Sequence, residues 1–341
     1  MTQLASPAFS ALEFALLNRF QRDFPLLSRP FAALARELEV SERSVLDHLQ
    51  RLQHGGAISR VGAVFRPNAI GASALAALAV APHRLEAVAA MVSAMPEVNH
   101  NYERAHRYNL WFVVTAATAQ HLSQVLQQIE LISACAALLV LPLIEDFHID
   151  LGFDLAPSKE GCFAFGASPP CGGARSAMAL TLDAEEQTLI AALQSGLALV
   201  PRPFAELGLP EPRALDLLAR WLDAGVIKRL GVIVRHHELG YRANAMVVWD
   251  VPDDAVTALG QRVAATERVT LCYRRRRQLP DWPYNLFCMI HGKDEQDVRA
   301  RIAELAALCQ LQPYASDILF SARRFKQRGA HYAPVLERSH G

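Results

Sequence analysis

The stretch from Asn99 to Val114, NHNYERAHRYNLWFVV, is typical of a β-hairpin, because an alternating polar segment is followed by an apolar run. Successive side chains of a strand point to opposite faces, so four chemically active side chains should share one face. They are His100, Tyr102, Arg104 and His106. Two imidazoles, a phenol and a guanidinium can hold an anion and move a proton. In a core each polar group would need a partner, so the stretch predicts a functional surface or, alternatively, a solvated edge strand.

The composition indicates a globular protein with more than one domain. The chain has 341 residues, of which 52% are hydrophobic. Lys and Arg together number 34, as do Asp and Glu, whereas a dedicated nucleic-acid binder usually has a basic excess. The N-terminus does not resemble a signal peptide, and no apolar run approaches the roughly 20 residues of a membrane span. We therefore expect a cytoplasmic protein without membrane contact.

The six cysteines form no C-x-x-C pair, so we expect reduced thiols rather than a metal site. Cys162 and Cys171 lie in a Gly- and Pro-rich stretch and could pair or bind metal. No second pair of ligands accompanies them, so the prediction is a protein without its own metal centre.

Two segments with different patterns of predicted secondary structure make up the first half of the chain. Residues 8–66 contain three helical patterns and then the alternating segment Ala57–Phe65, which together predict a winged helix-turn-helix. Residues 69–150 follow the order strand, helix, two strands, helix, strand, which is the ferredoxin-like βαββαβ unit. Residues 151–180 are rich in Gly, Pro, Ser and Ala, a composition typical of a linker.

The pattern then restarts, with a second winged helix-turn-helix over 181–238 and a second ferredoxin-like domain over 242–328. Short strings recur as well, since ISRVG at Ile58–Gly62 returns as IKRLG at Ile227–Gly231. An internal repeat of this kind determines the architecture. The predicted fold class is α+β, a tandem repeat of a winged helix-turn-helix plus a ferredoxin-like βαββαβ domain.

The two copies differ at the hairpin that carries the polar side chains. Leu271 occupies the place of His100, and a run of four arginines, Arg274–Arg277, follows it. The first copy therefore carries the imidazoles and the second carries the guanidinium groups. We expect one working pocket, in the first copy.

Helix-turn-helix followed by βαββαβ resembles the Lrp/AsnC regulators. The strings HNYERAHRYNLWF (100–112) and CYRRRRQLPDWPYNLF (272–287) resemble more specifically the sirohaem decarboxylases of the NirD/NirL and Ahb types. A chain with both copies resembles a fusion of the NirD and NirL types. The resemblance implies loss of the C12 and C18 acetate carboxylates of sirohaem as carbon dioxide, giving didecarboxysirohaem in haem biosynthesis. It also implies that the iron belongs to the substrate and that no separate cofactor is used.

The candidate site combines this resemblance with the chemistry of the residues. His100 and His106 are the predicted catalytic residues: one would give a proton to the new methyl carbon, and the other would orient a carboxylate or reach the iron. Arginines would hold the carboxylates that stay, and aromatic rings would cover the macrocycle. The predicted substrate-binding residues are Tyr102, Arg104, Arg107, Tyr108, Trp111, Tyr273, Arg274, Arg275, Arg277, Tyr284 and His291.

Other interpretations stay open at this point. The arginine run could be a solvated loop, and the aromatic residues could be ordinary core. The chain could also be a tandem DNA-binding regulator with Glu42–Gln53 as its recognition helix, but acidic and basic groups balance there and phosphate contacts need clustered cations. A sirohaem carrier without chemistry is a third possibility. We expect the two repeats to pair within the chain, with a homo-oligomer or other pathway proteins as further partners.

Overall fold

The computed structural model describes residues 9–135, 137–149, 182–235, 243–266, 268–330 and 332. Within these ranges the helices are α1 (Ala11–Arg19), α2 (Pro30–Glu37), α3 (Glu42–His54), α4 (Leu85–Ala94), α5 (Ala119–Ser133), α6 (Ala184–Leu193), α7 (Glu211–Asp223), α8 (Val256–Ala264) and α9 (Glu295–Cys309). The strands are β1 (Ile58–Phe65), β2 (Ala72–Leu78), β3 (Val98–Arg104), β4 (Leu110–Ala116), β5 (Leu138–Ile149), β6 (Ile227–Val234), β7 (Ala243–Trp249), β8 (Leu271–Arg275), β9 (Leu286–Gly292) and β10 (Ser316–Gln327). The tandem order predicted from the sequence is confirmed. The predicted linker and both of its cysteines lie outside the described residues.

Capping residues set where the helices of the helix-turn-helix units begin. Ser41 caps α3 by accepting a hydrogen bond from the Ser44 N–H. Asp183 and Glu186 form a reciprocal capping box at the start of α6. In the second unit a short 3-10 turn over Pro203–Glu206 stands in place of α2.

The strand that follows each helix-turn-helix pairs with its counterpart in the other copy. β1 and β6 form a two-stranded antiparallel sheet in which Gly62 lies opposite Gly231. A Cβ at Gly231 would lie 2.5 Å from the backbone oxygens of Phe20 and Gln21, so glycine lets the end of α1 pack on this sheet. One hydrophobic core takes in side chains from both units. The two predicted wings are thus one shared sheet.

The remaining strands close into an eight-stranded barrel of order β10-β3-β4-β2-β5-β8-β9-β7. Closure depends on two long strands, because β5 pairs with β2 of its own half and β8 of the other, and β10 pairs with β7 and β3. Both carry irregular register where they pass from one half to the other, and such bulges redirect side chains. The intramolecular pairing of the repeats is therefore built into the barrel.

Helices cover the outside of the barrel. α4 and α5 pack on the first half through a core that includes Val88 and Ile129, and α8 and α9 pack on the second through Val263 and Leu305. A separate apolar cluster inside the barrel joins both halves. None of the helices within the described ranges is long and apolar enough to cross a bilayer.

The asparagine of the repeated Tyr-Asn-Leu string fastens each hairpin to the neighbouring strand. Asn109 accepts a hydrogen bond from the Val80 N–H at 2.9 Å and donates one to the Val80 carbonyl at 2.8 Å. Asn285 makes the same pair of bonds with Val251, at 3.0 and 2.9 Å. This repeated string is therefore part of the scaffold that sets the position of the polar strand.

Candidate functional site

The polar strand β3 presents two different faces, as its alternation predicts. On the barrel side, the His100 and Tyr102 rings stack with centroids 6.3 Å apart, and the Arg104 guanidinium lies 6.0 Å from the Tyr102 ring centre. On the helix side, Asn101 donates hydrogen bonds to the Ala89 carbonyl and the Ser93 hydroxyl. β3 therefore brings an imidazole, a phenol and a guanidinium to one inner surface.

Arg104 is a buried cation with little to neutralise it. Its side chain donates to the Leu319 carbonyl at 2.7 Å, its Nε atom has no hydrogen-bond partner, and the residue is 7% exposed. Burial lowers the pKa of Arg104 to about 10, so the group stays charged near neutrality. No carboxylate of the described residues forms a salt bridge with it. A desolvated guanidinium of this kind is suited to binding an anion.

His100 is neutral in the free protein at ordinary pH. Burial, and secondly the charge of Arg60, lower its pKa to about 4. The histidine pairs across the sheet with Gln327 of β10, and part of its surface remains exposed. A negative ligand at this position would favour the protonated form, so the charge of the imidazole is coupled to what binds beside it.

The structure does not bring His106 to the same place as His100. His100 lies four residues before Arg104, about 13 Å along a strand, and His106 follows beyond the end of β3. The His106 Nδ1 atom accepts a hydrogen bond from the Tyr108 N–H at 3.0 Å, and its Nε2 atom lies 3.3 Å from Asp317. Burial lowers the pKa of His106, and Asp317 opposes that shift. The two predicted catalytic histidines occupy different surroundings.

Aromatic rings pack around His106 where the tips of the two long hairpins meet. Trp282, from the segment between β8 and β9, lies edge-on to His106, with ring centroids 5.6 Å apart, and to Trp111, with centroids 5.1 Å apart. Tyr284 stands 5.1 Å from Trp282, and Tyr108 is 2% exposed in the same cluster. Tyr108, Trp111 and Tyr284, which the sequence predicts to bind substrate, therefore pack with Trp282. We call this aromatic cluster at the hairpin tips the plug.

Several predicted arginines lie elsewhere. Arg274 pairs with Asp253 at 3.0 Å, and Arg277 pairs with Asp250 and Asp253 at 2.8 and 2.7 Å. Arg107 pairs with Asp281 at 3.2 Å on the exposed hairpin tips. Three of the arginines predicted to bind substrate are therefore paired with acids of the protein.

Arg275 and Tyr273 repeat the Arg104 and Tyr102 geometry in the second half. Arg275 donates to the Leu141 carbonyl at 2.9 Å and lies 5.1 Å from the Tyr273 ring centre. Burial lowers the pKa of Arg275 to about 10 and raises that of Tyr273. The barrel therefore holds two equivalent arginine and tyrosine pairs, one from each half.

His291 lies on β9 in the second half, opposite Asn244 of β7. The residue is 7% exposed, and its Nδ1 atom lies 3.2 Å from the Thr270 hydroxyl. The matching contact in the first half joins Asn99 to the Thr115 hydroxyl at 2.6 Å. The two halves therefore make the same kind of contact between these two positions.

A charge reversal distinguishes the two halves. Arg324 of β10 lies opposite Tyr102, and its exposed side chain bonds Gln327; within the described part of the chain no acid pairs with it. The equivalent residue opposite Tyr273 is Asp146, which binds Arg66 at 2.9 Å and Lys228 at 3.0 Å. The first half therefore offers unneutralised cations, whereas the second supplies its own carboxylate.

Sequence reasoning missed Arg60, Arg324, Asp146 and Asp317 as neighbours of the candidate residues. A signal existed for Arg60, because the repeated ISRVG and IKRLG strings contain an arginine at the same place. The other three depend on barrel closure, which joins strands distant in the sequence.

An open depression of about 600 Å³ lies on the outward face of α3, away from the barrel. Its lining includes Arg43 and Asp47, which pair at 3.8 Å, and Glu42 is paired with Arg29. The lining also contains Arg51, so it carries two arginines against one aspartate. No group of three or more His, Cys, Asp and Glu side chains suited to a metal ion occurs among the described residues.

Family models match most of the chain. The AsnC-like ligand binding domain matches residues 69–148 and 238–326, and the siroheme decarboxylase NirDL-like HTH domain matches residues 13–58. The siroheme decarboxylase NirDL subunit of Paracoccus denitrificans is 44% identical over 95% of this chain and 98% of its own length.

Solved structures agree with the sequence relatives. The crystal structure of the siroheme decarboxylase NirDL is 29% identical, with a TM-score of 0.67 and 94% of each chain covered. A co-complex of that decarboxylase with an iron-uroporphyrin III analogue is 28% identical, with a TM-score of 0.66, over 94% of this chain and 93% of that one. The chain belongs to the family of siroheme decarboxylases of the NirDL type.

Proposed function

We propose that this protein decarboxylates sirohaem at its C12 and C18 acetate arms, and that the reaction takes place in the first half of the barrel. The observation that carries the proposal is the surface formed by His100, Tyr102 and Arg104, where Arg104 and the neighbouring Arg324 form no salt bridge with an acid of the described residues. The relative solved with an iron-uroporphyrin III analogue supports a carboxylate-rich tetrapyrrole as the ligand.

The residues divide into binding and proton-transfer roles. Arg104 and Arg324 bind carboxylates that stay on the macrocycle, since a cation against the departing carboxylate would stabilise the ground state. Tyr102 lies between them and packs against the ring. Decarboxylation breaks the bond between the carboxyl carbon and the methylene carbon, releases carbon dioxide and leaves the electron pair conjugated with the macrocycle.

His100 supplies the proton that completes the methyl group. The free protein holds this imidazole neutral, with a pKa of about 4. Carboxylates of the bound substrate raise that pKa, so the histidine takes up a proton as substrate binds and donates it to the methylene carbon. His106 then acts at the hairpin tips, where it orients the plug through Asp317 and Trp282.

The remaining elements of the proposal concern the setting of the reaction. The iron arrives with the substrate, no separate cofactor takes part, and the protein works in the cytoplasm. The two repeats act as one unit, and assembly with a second copy or with other pathway proteins stays a prediction.

The test is anaerobic incubation of the purified protein with sirohaem, followed by mass analysis of the extracted tetrapyrrole. A product lighter by two carbon dioxide losses supports the proposal. Unchanged sirohaem that co-purifies with the protein would favour a carrier instead. Absence of binding would favour a regulator that uses the depression on α3, which a salt-dependent DNA-binding assay would then examine.

A further inference from the structure

Arg60 is a second partly buried cation close to His100, and it comes from the helix-turn-helix unit. It lies on β1, where its side chain donates to the Ala63 carbonyl at 3.2 Å. Its Nε atom is buried without a hydrogen-bond partner, and no acid of the described ranges forms a salt bridge with it. Burial lowers the pKa of Arg60, which indicates that the charge is held against a solvation cost.

Two glycines leave room for this side chain. A Cβ at Gly196 would lie 2.8 Å from the Arg60 Cβ, and a Cβ at Gly329 would lie 2.6 Å from its Nη1 atom. Gly196 has a φ of +92°, a conformation that also favours glycine. Gly196 therefore leaves room for the base of the side chain and Gly329 for its guanidinium, which has no salt bridge to an acid within the described ranges.

The surroundings of His100 show where the guanidinium acts. The imidazole stacks on Tyr102 of its own strand, pairs across the sheet with Gln327 of β10, and is influenced by the charge of Arg60. The charge of Arg60 also lowers the pKa of Tyr332, against the larger effect of burial. Gly329 follows Gln327 by two residues, and a Cβ there would lie 2.6 Å from the Arg60 Nη1 atom, so the end of β10 brings the guanidinium near the imidazole.

We propose that Arg60 binds a carboxylate of the tetrapyrrole that stays on the ring, next to His100, so that the helix-turn-helix unit contributes directly to the substrate site. This inference rests on the proposed function. The bound carboxylate neutralises Arg60, which removes the part of the lowering of the His100 pKa that Arg60 adds to the effect of burial. The same contact thereby orients the macrocycle and lets His100 acquire its proton.

The test compares Arg60→Gln with a matched control, Arg229→Gln. Arg229 of β6 is the equivalent of Arg60 in the second repeat, and it donates a hydrogen bond to the Gln21 carbonyl. In that repeat Leu271 stands in place of His100. Binding of iron uroporphyrin III is followed by absorbance. We expect Arg60→Gln to weaken binding about 10- to 100-fold, as loss of a charged hydrogen bond does. Arg60→Lys should restore part of that loss, and Arg229→Gln should leave binding within threefold.

A second readout does not depend on any ligand. NMR titration of His100 in the free Arg60→Gln protein should give a pKa nearer the ordinary value than in the parent, and Arg229→Gln should not change it. If Arg60→Gln leaves the His100 pKa unchanged, or binds iron uroporphyrin III as tightly as the parent protein, the inference is overturned. The proposed function would still stand in that case, provided that the parent protein decarboxylates sirohaem. Equal weakening by both substitutions would also overturn it. If the parent itself binds no iron uroporphyrin III, the inference and the proposed function fail together.

Discussion

At the scale of single residues, Arg104 and Arg275 carry their charges into the barrel while each bonds a backbone carbonyl. Such cations persist where a ligand supplies the missing negative charge. What separates the two positions is their neighbours, since His100 and Arg324 stand beside one and Leu271 and Asp146 beside the other. We therefore base the choice of the first half as the reaction site on the charges beside the arginine, because both halves contain the arginine itself.

Replacing His100 tests the proton-donor role. His100→Leu copies the residue of the second half and should lower kcat by about 10²- to 10⁴-fold, the usual cost of losing a general acid. His106→Gln should retain most of kcat and lower the melting temperature instead, because His106 packs in the aromatic plug. Steady-state kinetics and thermal denaturation measure the two effects. Full turnover by His100→Leu would remove this residue from the mechanism.

The histidines also predict how stability depends on pH. The pKa values of His100 and His148 are lowered to about 4, chiefly by burial. An unfolded chain binds protons on these groups at higher pH than the folded one, so the free energy of unfolding should fall as pH drops from 6.5 towards 4. Urea denaturation at several pH values measures the decline. His100→Leu and His148→Leu should each flatten it, and a curve unaffected by both would contradict the lowered values.

At the scale of elements, the sequence predicted the helices and the βαββαβ order well, because caps and periodicity are local signals. Alternation along β3 likewise identified the face that carries His100, Tyr102 and Arg104. It could not show that β1 would pair with β6, or that bulges in β5 and β10 would redirect side chains at the junction of the halves. Those outcomes depend on contacts between segments apart in the sequence, as do the ion pairs of Arg274 and Arg277 with Asp250 and Asp253.

The asparagine bonds give a prediction about the hairpins. Asn109→Ala should destabilise the fold by about 1–3 kcal/mol, because it leaves the Val80 N–H and carbonyl without their partner. Asn285→Ala is the matched change in the other half and should cost a similar amount. Chemical denaturation measures both. Loss of activity without loss of stability in either variant would instead indicate a direct role in the reaction.

At the scale of the whole molecule, the two repeats form a single barrel and share one helix-turn-helix core. The long strands β5 and β10 cross between the halves, so neither half completes its sheet alone. The second half is therefore needed to complete the barrel, even though it has Leu271 where the first half has His100. It contributes Arg324 and Asp317 to the surroundings of the first half.

Splitting the chain tests that dependence. Residues 1–165 and 166–341, produced as two polypeptides in one cell, should purify as a one-to-one complex and retain decarboxylase activity, because the strands that join the halves are intact. Size-exclusion chromatography and product analysis measure the outcome. Activity of residues 1–165 without their partner would show that the closed barrel is not required.

The central claim is that the reaction takes place in the first half, and the most direct measurement compares turnover of Arg104→Met and Arg275→Met. Both substitutions remove a barrel guanidinium that bonds one backbone carbonyl, so their structural costs should match. The account predicts that Arg104→Met loses most decarboxylation of sirohaem, whereas Arg275→Met keeps most of it. Equal losses, or a greater loss in Arg275→Met, would contradict the claim.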